Sequence, residues 1–83
     1  MDEAIALAND THYGLNALVY TESLHTAQTV TRRLRVGNVW INGFGIPDTT
    51  TPWGGRGGSG VGRELGQAGN EGYTEEKTVQ MMF

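Results

Sequence analysis

The sequence has no cysteine among its 83 residues. Without a thiol, these residues form no disulfide, ligate no metal through a thiolate and supply no cysteine nucleophile. Histidine is scarce as well, since His12 and His25 are the only two. Neither stands at a usable spacing from an acid, a nucleophile or a second metal ligand. We therefore predict no metal site and no catalytic residue within this chain.

Charged residues and long apolar runs are also sparse. Charged residues make up 18 % of the chain and the formal net charge is −3, so no broad basic field attracts nucleic acid. No apolar run approaches the roughly 20 residues of a membrane span, and the first residues are acidic where a secretory signal would be basic. We expect a cytoplasmic protein with neither nucleic acid nor a membrane as partner, and at most one small domain.

Two short apolar segments flank an amphipathic one. Residues 15–20 and 38–42 are rich in apolar, β-branched and aromatic side chains, which is typical of buried strands. Between them, residues 23–35 predict a helix whose apolar positions recur at spacings of three and four. The apolar stripe consists of Leu24, Ala27, Val30 and Leu34. This order predicts an α/β fold built on a right-handed βαβ crossover with two parallel strands.

The ends of the helices carry recognisable signals. Residues 2–9 predict a first helix with Asp2 as its cap, and either Thr21 or Ser23 caps the second. Three arginines close the second helix before Gly37, which we expect as its C-cap. Those cations either complement the helix dipole or bind an anion, and we favour the structural interpretation.

Residues 52–66, here called the glycine run, contain seven glycines in fifteen positions. So dense a run indicates positive φ angles or a close approach of other groups, and a plain linker is the competing interpretation. Its spacing fits neither the dinucleotide fingerprint nor the Walker loop, and Val61 breaks the nucleophile-elbow pattern around Ser59. An anion-binding loop remains a minor alternative. Ligands meet parallel sheets at the carboxyl ends of strands. We therefore expect the loop that begins at Asn42 and runs into the glycine run to leave the sheet from the edge where chemistry would take place.

The last part of the chain predicts two weaker elements. Residues 63–72 interleave helix formers with glycine and predict a short, interrupted helix. Residues 73–83 alternate apolar and polar side chains and predict a final strand.

Five sequence blocks, taken together, resemble the C-terminal end of the NAD(P)-dependent aldehyde dehydrogenase superfamily. The blocks are DEAIALANDT with YGL at 2–15, RLRVGNVWIN at 33–42, PWGG at 52–55, SG with GRELG at 59–66, and YTE with KTV at 73–79. They follow the family's order across nearly the whole chain. No single block would carry the resemblance.

The resemblance implies a fold, a function and a division of the chain. Residues 1–72 correspond to the C-terminal part of the catalytic domain, followed at 73–83 by a strand of the bridging or oligomerisation arm. The family oxidises aldehydes to carboxylic acids with NAD or NADP, but its nucleophilic cysteine, general-base glutamate and cofactor domain lie outside the matched part. We therefore expect a fragment that is inactive and binds no cofactor alone, and that forms homo-oligomers through its last strand. The alternative is a non-catalytic, oligomerising interaction module.

The resemblance also assigns substrate-binding positions. Trp53 stands at the aromatic position of the Pro-aromatic-Gly-Gly motif and is expected to line the aldehyde tunnel. The preceding loop would add Phe44 and Ile46 to the same wall, and Asn42 would end the strand below them.

A structural contact is expected where the catalytic domain joins the arm. There the resemblance brings Arg63 and Glu75 together, and we predict an ion pair between them. Two departures from the family pattern, at residues 56–58 and at Asn70, predict a looser glycine run and a weaker last helix.

Overall fold

The computed structural model describes residues 1–45 and 48–83. Its elements are α1 (Asp2–Asn9), β1 (Asn16–Val19), α2 (Leu24–Arg33), β2 (Asn38–Ile41), one turn of 3-10 helix (Gly57–Ser59) and α3 (Gly66–Glu71). Strands β1 and β2 pair in parallel, with Asn16 opposite Asn38 and Val19 opposite Ile41. The predicted α/β class and the order strand, helix, strand are confirmed.

A small core lies between the two longer helices and one face of the sheet. Its buried members are Ile5, Val30 and Leu34, against which Ala17, Val19 and Val36 pack. Because side chains alternate along a strand, Leu18 points to the opposite face of β1. Leu24, the first residue of α2, stays 73 % exposed. The apolar stripe of α2 is therefore one residue shorter than predicted.

The N-terminal caps of α1 and α2 differ from each other. Ser23 caps α2 as predicted, since its Oγ accepts a hydrogen bond of 3.1 Å from the Thr26 amide. The predicted cap of α1 is wrong. Asp2 lies inside the first helical turn, Met1 takes the cap position, and the Asp2 carboxylate binds the Arg33 guanidinium at 2.5 Å instead.

Polar contacts of this kind tie α1 to the end of α2. The hydrogen bond from Arg33, together with its positive charge, lowers the pKa of the Asp2 carboxyl. Asn9 donates from Nδ2 to the Arg33 carbonyl at 2.9 Å and accepts at Oδ1 from the Arg35 amide at 2.8 Å. Arg35 in turn donates to the Asn9 carbonyl. Arg33 and Arg35 therefore have structural contacts with α1, while a role in complementing the helix dipole stays a prediction.

The predicted C-cap of α2 is wrong. The helix ends at Arg33, and its cap is Leu34 in an extended conformation, with φ −73° and ψ 132°. Gly37 lies beyond this cap and directly before β2, where the backbone of residue 54 passes close to it. Glycine is therefore required at position 37 by the close packing of residue 54, and it does not end the helix.

Residues 73–83 have no helix or strand and are exposed throughout, with Tyr73 96 % exposed. The strand predicted here is not formed in this chain. A strand needs a partner edge, and within the described residues β1 and β2 pair only with each other. The division into residues 1–72 and 73–83 stays a prediction. The longest described helix, α2, has ten residues, too few to cross a bilayer.

Candidate functional site

The glycine run lies at the amino ends of the strands. The Gly14 carbonyl, two residues before β1, accepts hydrogen bonds from the Arg56 amide at 2.9 Å and from the Gly37 amide at 3.0 Å. The Ser59 hydroxyl accepts from the Gly14 amide at 2.8 Å. The chain leaves β2 at the carboxyl edge as expected, but it then returns past the sheet. These bonds also exclude the linker interpretation.

The glycines admit a backbone approach that side chains would block. A Cβ at Gly37 would overlap the Gly54 carbonyl oxygen. A Cβ at Gly54 would lie 2.6 Å from the Gly62 carbonyl oxygen and 2.7 Å from Cδ of Arg63. Residue 54 is thus enclosed between the start of β2 and the far end of the glycine run. Close packing, not a phosphate cradle, accounts for the paired glycines at 54–55.

Trp53 is fixed through both its backbone and its ring. Its amide and carbonyl form an antiparallel bridge with Glu64, with both hydrogen bonds at 2.7 Å. Its indole stacks on Trp40 of β2, with ring centroids 5.5 Å apart and planes inclined by 22°. Trp40 also meets Phe44 at 5.1 Å. We call Trp40, Phe44 and Trp53 the aromatic cluster.

Sequence reasoning missed Trp40 as a member of this cluster. Strand alternation could have found it, because Trp40 pairs with Leu18 on the sheet face turned away from the helices. Of the predicted wall residues, Phe44 and Trp53 are brought together through Trp40. Ile46 lies outside the described residues.

The site is open to solvent at Phe44 and at a groove beside Trp53. Phe44 is 74 % exposed. A groove of about 330 Å³ adjoins Trp53 and is lined by part of the glycine run and by Leu15. A larger groove, of about 700 Å³, lies between residues 49–50 and α3 and contains no member of the aromatic cluster. We assign the candidate site to the first groove, since it is the one that Trp53 borders.

The loop before Trp53 is shaped by a local turn. Asp48 accepts at Oδ1 from the Thr50 amide at 2.8 Å and from the Thr50 hydroxyl at 2.7 Å. These two hydrogen bonds, the backbone one first, lower the pKa of the Asp48 carboxyl. The Thr49 carbonyl accepts from the Gly66 amide at 2.9 Å, which ties the turn to the start of α3.

Asn42 directly follows β2 and joins it to the segment before α2. Its φ of 55° is left-handed, a conformation that asparagine tolerates better than most residues. Its side chain accepts from the Thr21 amide and donates to the Thr21 carbonyl, each at 2.8 Å. Asn42 therefore sets the direction in which the chain leaves the sheet toward Phe44.

Arg63 does not pair with Glu75, and the predicted ion pair is wrong for this chain. Within the described residues, the only ion pair joins Arg33 to Asp2. The Arg63 Nη1 instead donates to the Gly55 carbonyl at 2.9 Å and to the Gly62 carbonyl at 2.6 Å. The guanidinium thus holds the glycine run together, while Glu75 belongs to the exposed last segment.

The chemistry that this arrangement offers is binding. The groove is lined by Trp53, by Leu15 and by other residues of the glycine run. The Ser59 hydroxyl accepts from a backbone amide, and the His12 ring packs against Tyr13 at 4.2 Å. No three acidic or histidine side chains of residues 1–45 and 48–83 meet in a metal-binding group. The glycine run follows a loop and enters one 3-10 turn, so it does not have the strand-to-helix context of a dinucleotide fingerprint.

The fold is a parallel βαβ unit with a tightly packed glycine run and an aromatic cluster, which defines a part of an α/β domain. Residues 1–79 match the aldehyde dehydrogenase family. The chain belongs to that family, which confirms the resemblance drawn from the five blocks.

Relatives and solved structures agree with this assignment. Betaine aldehyde dehydrogenase of Bacillus subtilis is 50 % identical over 78 residues, covering 94 % of this chain and 16 % of that protein. Human aldehyde dehydrogenase 1A1 is 46 % identical over 79 residues, covering 95 % and 16 %. The NAD⁺ complex of a Bacillus cereus aldehyde dehydrogenase superimposes with a TM-score of 0.87 at 41 % identity, over 90 % of this chain and 15 % of that one.

A second structure superimposes almost as well. The NAD⁺ complex of Staphylococcus aureus betaine aldehyde dehydrogenase has a TM-score of 0.83 at 49 % identity, over 87 % of this chain and 14 % of that one. The chain therefore spans about 16 % of the length of the curated relatives it matches.

Proposed function

We propose that these residues are the C-terminal part of the catalytic domain of an NAD(P)-dependent aldehyde dehydrogenase, and that they form one wall of its aldehyde tunnel. The observation that carries the proposal is the fixed position of Trp53, stacked on Trp40 and bridged to Glu64 beside an open groove. In this proposal Phe44 and Ile46 extend the wall, and the chain alone has no catalytic activity. The cytoplasmic location predicted from the sequence belongs to the same proposal.

The reacting groups are assigned to the remainder of the enzyme. The 83 residues contain no cysteine to serve as a thiol nucleophile. The cofactor bound there would accept a hydride. What these residues supply is a rigid aromatic surface. Such a surface orients an apolar or cationic group of an aldehyde by ring contacts and excludes water from it.

The test is a kinetic comparison in the full-length enzyme proposed to carry these residues. Trp53→Ala removes the ring that borders the groove, and we expect the KM for aldehydes to rise about tenfold, corresponding to roughly 1.4 kcal/mol of lost binding. The KM for the cofactor should not change. Tyr13→Ala is the matched control, since it removes an exposed aromatic ring that packs on His12 and not on the aromatic cluster.

Two results would count against the proposal. One is an absence of cofactor-dependent aldehyde oxidation by the wild-type enzyme across small, aromatic and quaternary-ammonium aldehydes. The other is a Trp53→Ala enzyme with unchanged KM. Calorimetry on the 83-residue chain should show no NAD binding, and measurable binding would contradict the assignment of the cofactor site to other residues.

A second candidate function, a non-catalytic and oligomerising interaction module, is favoured by residues 73–83. This segment is exposed and carries Tyr73, Val79, Met81, Met82 and Phe83. An unpaired, apolar segment of this kind pairs readily with the strand edge of another chain. In the enzyme, the same segment would be the arm through which identical subunits associate. Arg63 and Glu75 would lie in the region where the arm begins, and Asn42 would support the wall from the end of β2.

Light scattering with and without residues 73–83 tests the oligomer. We expect the full-length protein to form a homo-oligomer whose mass falls when the segment is deleted. Aldehyde oxidation per folded subunit then distinguishes the enzyme from the non-catalytic interaction module. An oligomer of unchanged mass would refute the role of the segment. Oligomerisation without any aldehyde oxidation would favour the interaction module over the enzyme.

A further inference from the structure

We propose that Asn38 is a positioning residue that fixes the orientation of Trp53 and thereby sets how strongly the enzyme discriminates between large and small aldehydes. The inference rests on the proposed function of Trp53 as a wall of the tunnel. It concerns a residue at the first position of β2 that does not belong to the aromatic cluster.

The side-chain amide of Asn38 joins the sheet to the glycine run. Its Nδ2 donates to the Gly54 carbonyl at 2.9 Å and to the Leu15 carbonyl at 3.2 Å. The backbone amide of Asn38 also donates to the Leu15 carbonyl, at 3.1 Å. One half-buried side chain therefore links the residue after Trp53 to the residue before β1, which are far apart in sequence.

The contacts on both sides of residue 54 restrict its backbone, and Asn38 fixes the direction of its carbonyl. On one side, the Gly54 carbonyl fits against Gly37, where no Cβ stands in its way. On the other side, the Arg63 guanidinium holds the next carbonyl, that of Gly55, at 2.9 Å. Asn38 supplies the hydrogen bond that keeps the Gly54 carbonyl turned toward β2.

The orientation of this carbonyl decides the position of the indole ring. Rotation of the peptide between residues 54 and 55 changes the backbone path next to Trp53. The Trp53 backbone itself stays bridged to Glu64, so the loop does not detach when the amide is lost. The expected consequence is a displaced ring and a changed tunnel wall in an enzyme that remains folded.

Asn38→Asp is the decisive substitution, because it keeps the shape of the side chain while it replaces the donating NH₂ by a carboxylate oxygen. That oxygen would face two carbonyl oxygens that accept but cannot donate. Asn16→Asp is the matched control. Asn16 lies opposite Asn38 in the register of the two strands, and no side-chain hydrogen bond of Asn16 occurs among the described residues.

In the full-length enzyme, we expect Asn38→Asp to raise the KM for bulky aldehydes roughly three- to tenfold, the effect of losing the hydrogen bond that orients the Gly54 carbonyl. The KM for the smallest aldehyde and its kcat should change less than twofold. Asn16→Asp should change none of these values. A merely structural role would lower activity toward all aldehydes equally, and that result would overturn the proposal.

A second measurement makes the test independent of activity. The enzyme is labelled with 5-fluorotryptophan, and the Trp53 signal is assigned by its loss in Trp53→Phe. Asn38→Asp should shift or broaden this ¹⁹F resonance, and Asn16→Asp should leave it unchanged. If Asn38→Asp does not fold, Asn38→Thr gives the same readout with a smaller change. An unmoved Trp53 resonance refutes the positioning role even if aldehyde oxidation is confirmed, whereas an inactive wild type refutes the proposed function alone.

Discussion

Replacement of Gly37 by alanine tests whether close packing accounts for the shape of the glycine run. In the structure, an added Cβ would overlap the Gly54 carbonyl oxygen and lie 2.7 Å from its carbonyl carbon and 3.0 Å from Cα of Gly55. Real Cβ atoms essentially never approach other atoms closer than 3.0 Å. The backbone at 54–55 must therefore move away from β2, and this movement stretches or breaks the hydrogen bond from Asn38.

The magnitude follows from three contributions. Overpacking of a tight site costs about 1–3 kcal/mol, and loss of one neutral hydrogen bond costs about 0.5–1.5 kcal/mol. Against these, alanine restricts the unfolded chain and contributes about 0.4–1 kcal/mol of stability. We expect a net local destabilisation of about 2 kcal/mol. Gly43→Ala is the matched control, because a Cβ there meets nothing within 4 Å, and only the favourable entropic effect remains.

Amide hydrogen exchange of the full-length protein, followed by mass spectrometry, measures the effect where it arises. Peptides covering residues 53–60 should exchange about 30-fold faster in Gly37→Ala, since each 1.4 kcal/mol corresponds to a factor of ten. The same peptides in Gly43→Ala should exchange at the wild-type rate. Equal protection in the two variants would mean that the backbone of residue 54 does not pack against Gly37, and the account of the paired glycines would fail.

Two further predictions concern a strained residue and an ion pair. Leu65 has φ 62° and ψ 166°, a backbone conformation that costs non-glycine residues roughly 1–3 kcal/mol. In denaturant unfolding, Leu65→Gly should therefore be more stable than Leu65→Ala by about 1 kcal/mol. The usual order, in which the alanine variant is the more stable one, would contradict this prediction. Arg33 lowers the pKa of the Asp2 carboxyl in the folded protein below its ordinary value of 3.8. The ion pair therefore stabilises the folded protein above pH 3.8, and this stabilisation is lost as the pH falls through the pKa of Asp2 in the folded protein. Asp2→Asn should therefore be less stable than wild type at pH 7 and equal to it in strong acid, and a difference that persists in strong acid would contradict the pairing.

The elements of the fold were predictable because their signals are local. Helical spacing in residues 23–35 and apolar runs at 15–20 and 38–42 predicted α2, β1 and β2 within a few residues of their observed bounds. Such periodicities depend on neighbours three or four positions away, or two in a strand. The N-cap at Ser23 was also predictable from a local signal, since its hydrogen bond to Thr26 spans three residues.

The site was less predictable because distant contacts determine it. The hydrogen bond between Gly14 and Ser59 joins residues 45 positions apart, and no local pattern encodes the return of the glycine run to the amino ends of the strands. Likewise, no local sequence feature indicated that Arg63 would donate to backbone carbonyls instead of pairing with Glu75. The family resemblance predicted Trp53 and Phe44 as wall residues, but it did not predict the hydrogen bonds that hold the glycine run in place.

The two aromatic residues expected to line the tunnel are held to different degrees, and this difference has a consequence for substrate choice. Trp53 is bridged to Glu64, stacked on Trp40 and followed by a carbonyl that Asn38 holds. Phe44 packs its ring on Trp40 and is 74 % exposed. A substitution at Trp53 therefore disturbs both the wall and the packing of the glycine run, whereas a substitution at Phe44 alters the wall and leaves the run in place. If these rings line the tunnel, position 44 is where the aldehyde preference is able to change at the lowest cost in stability.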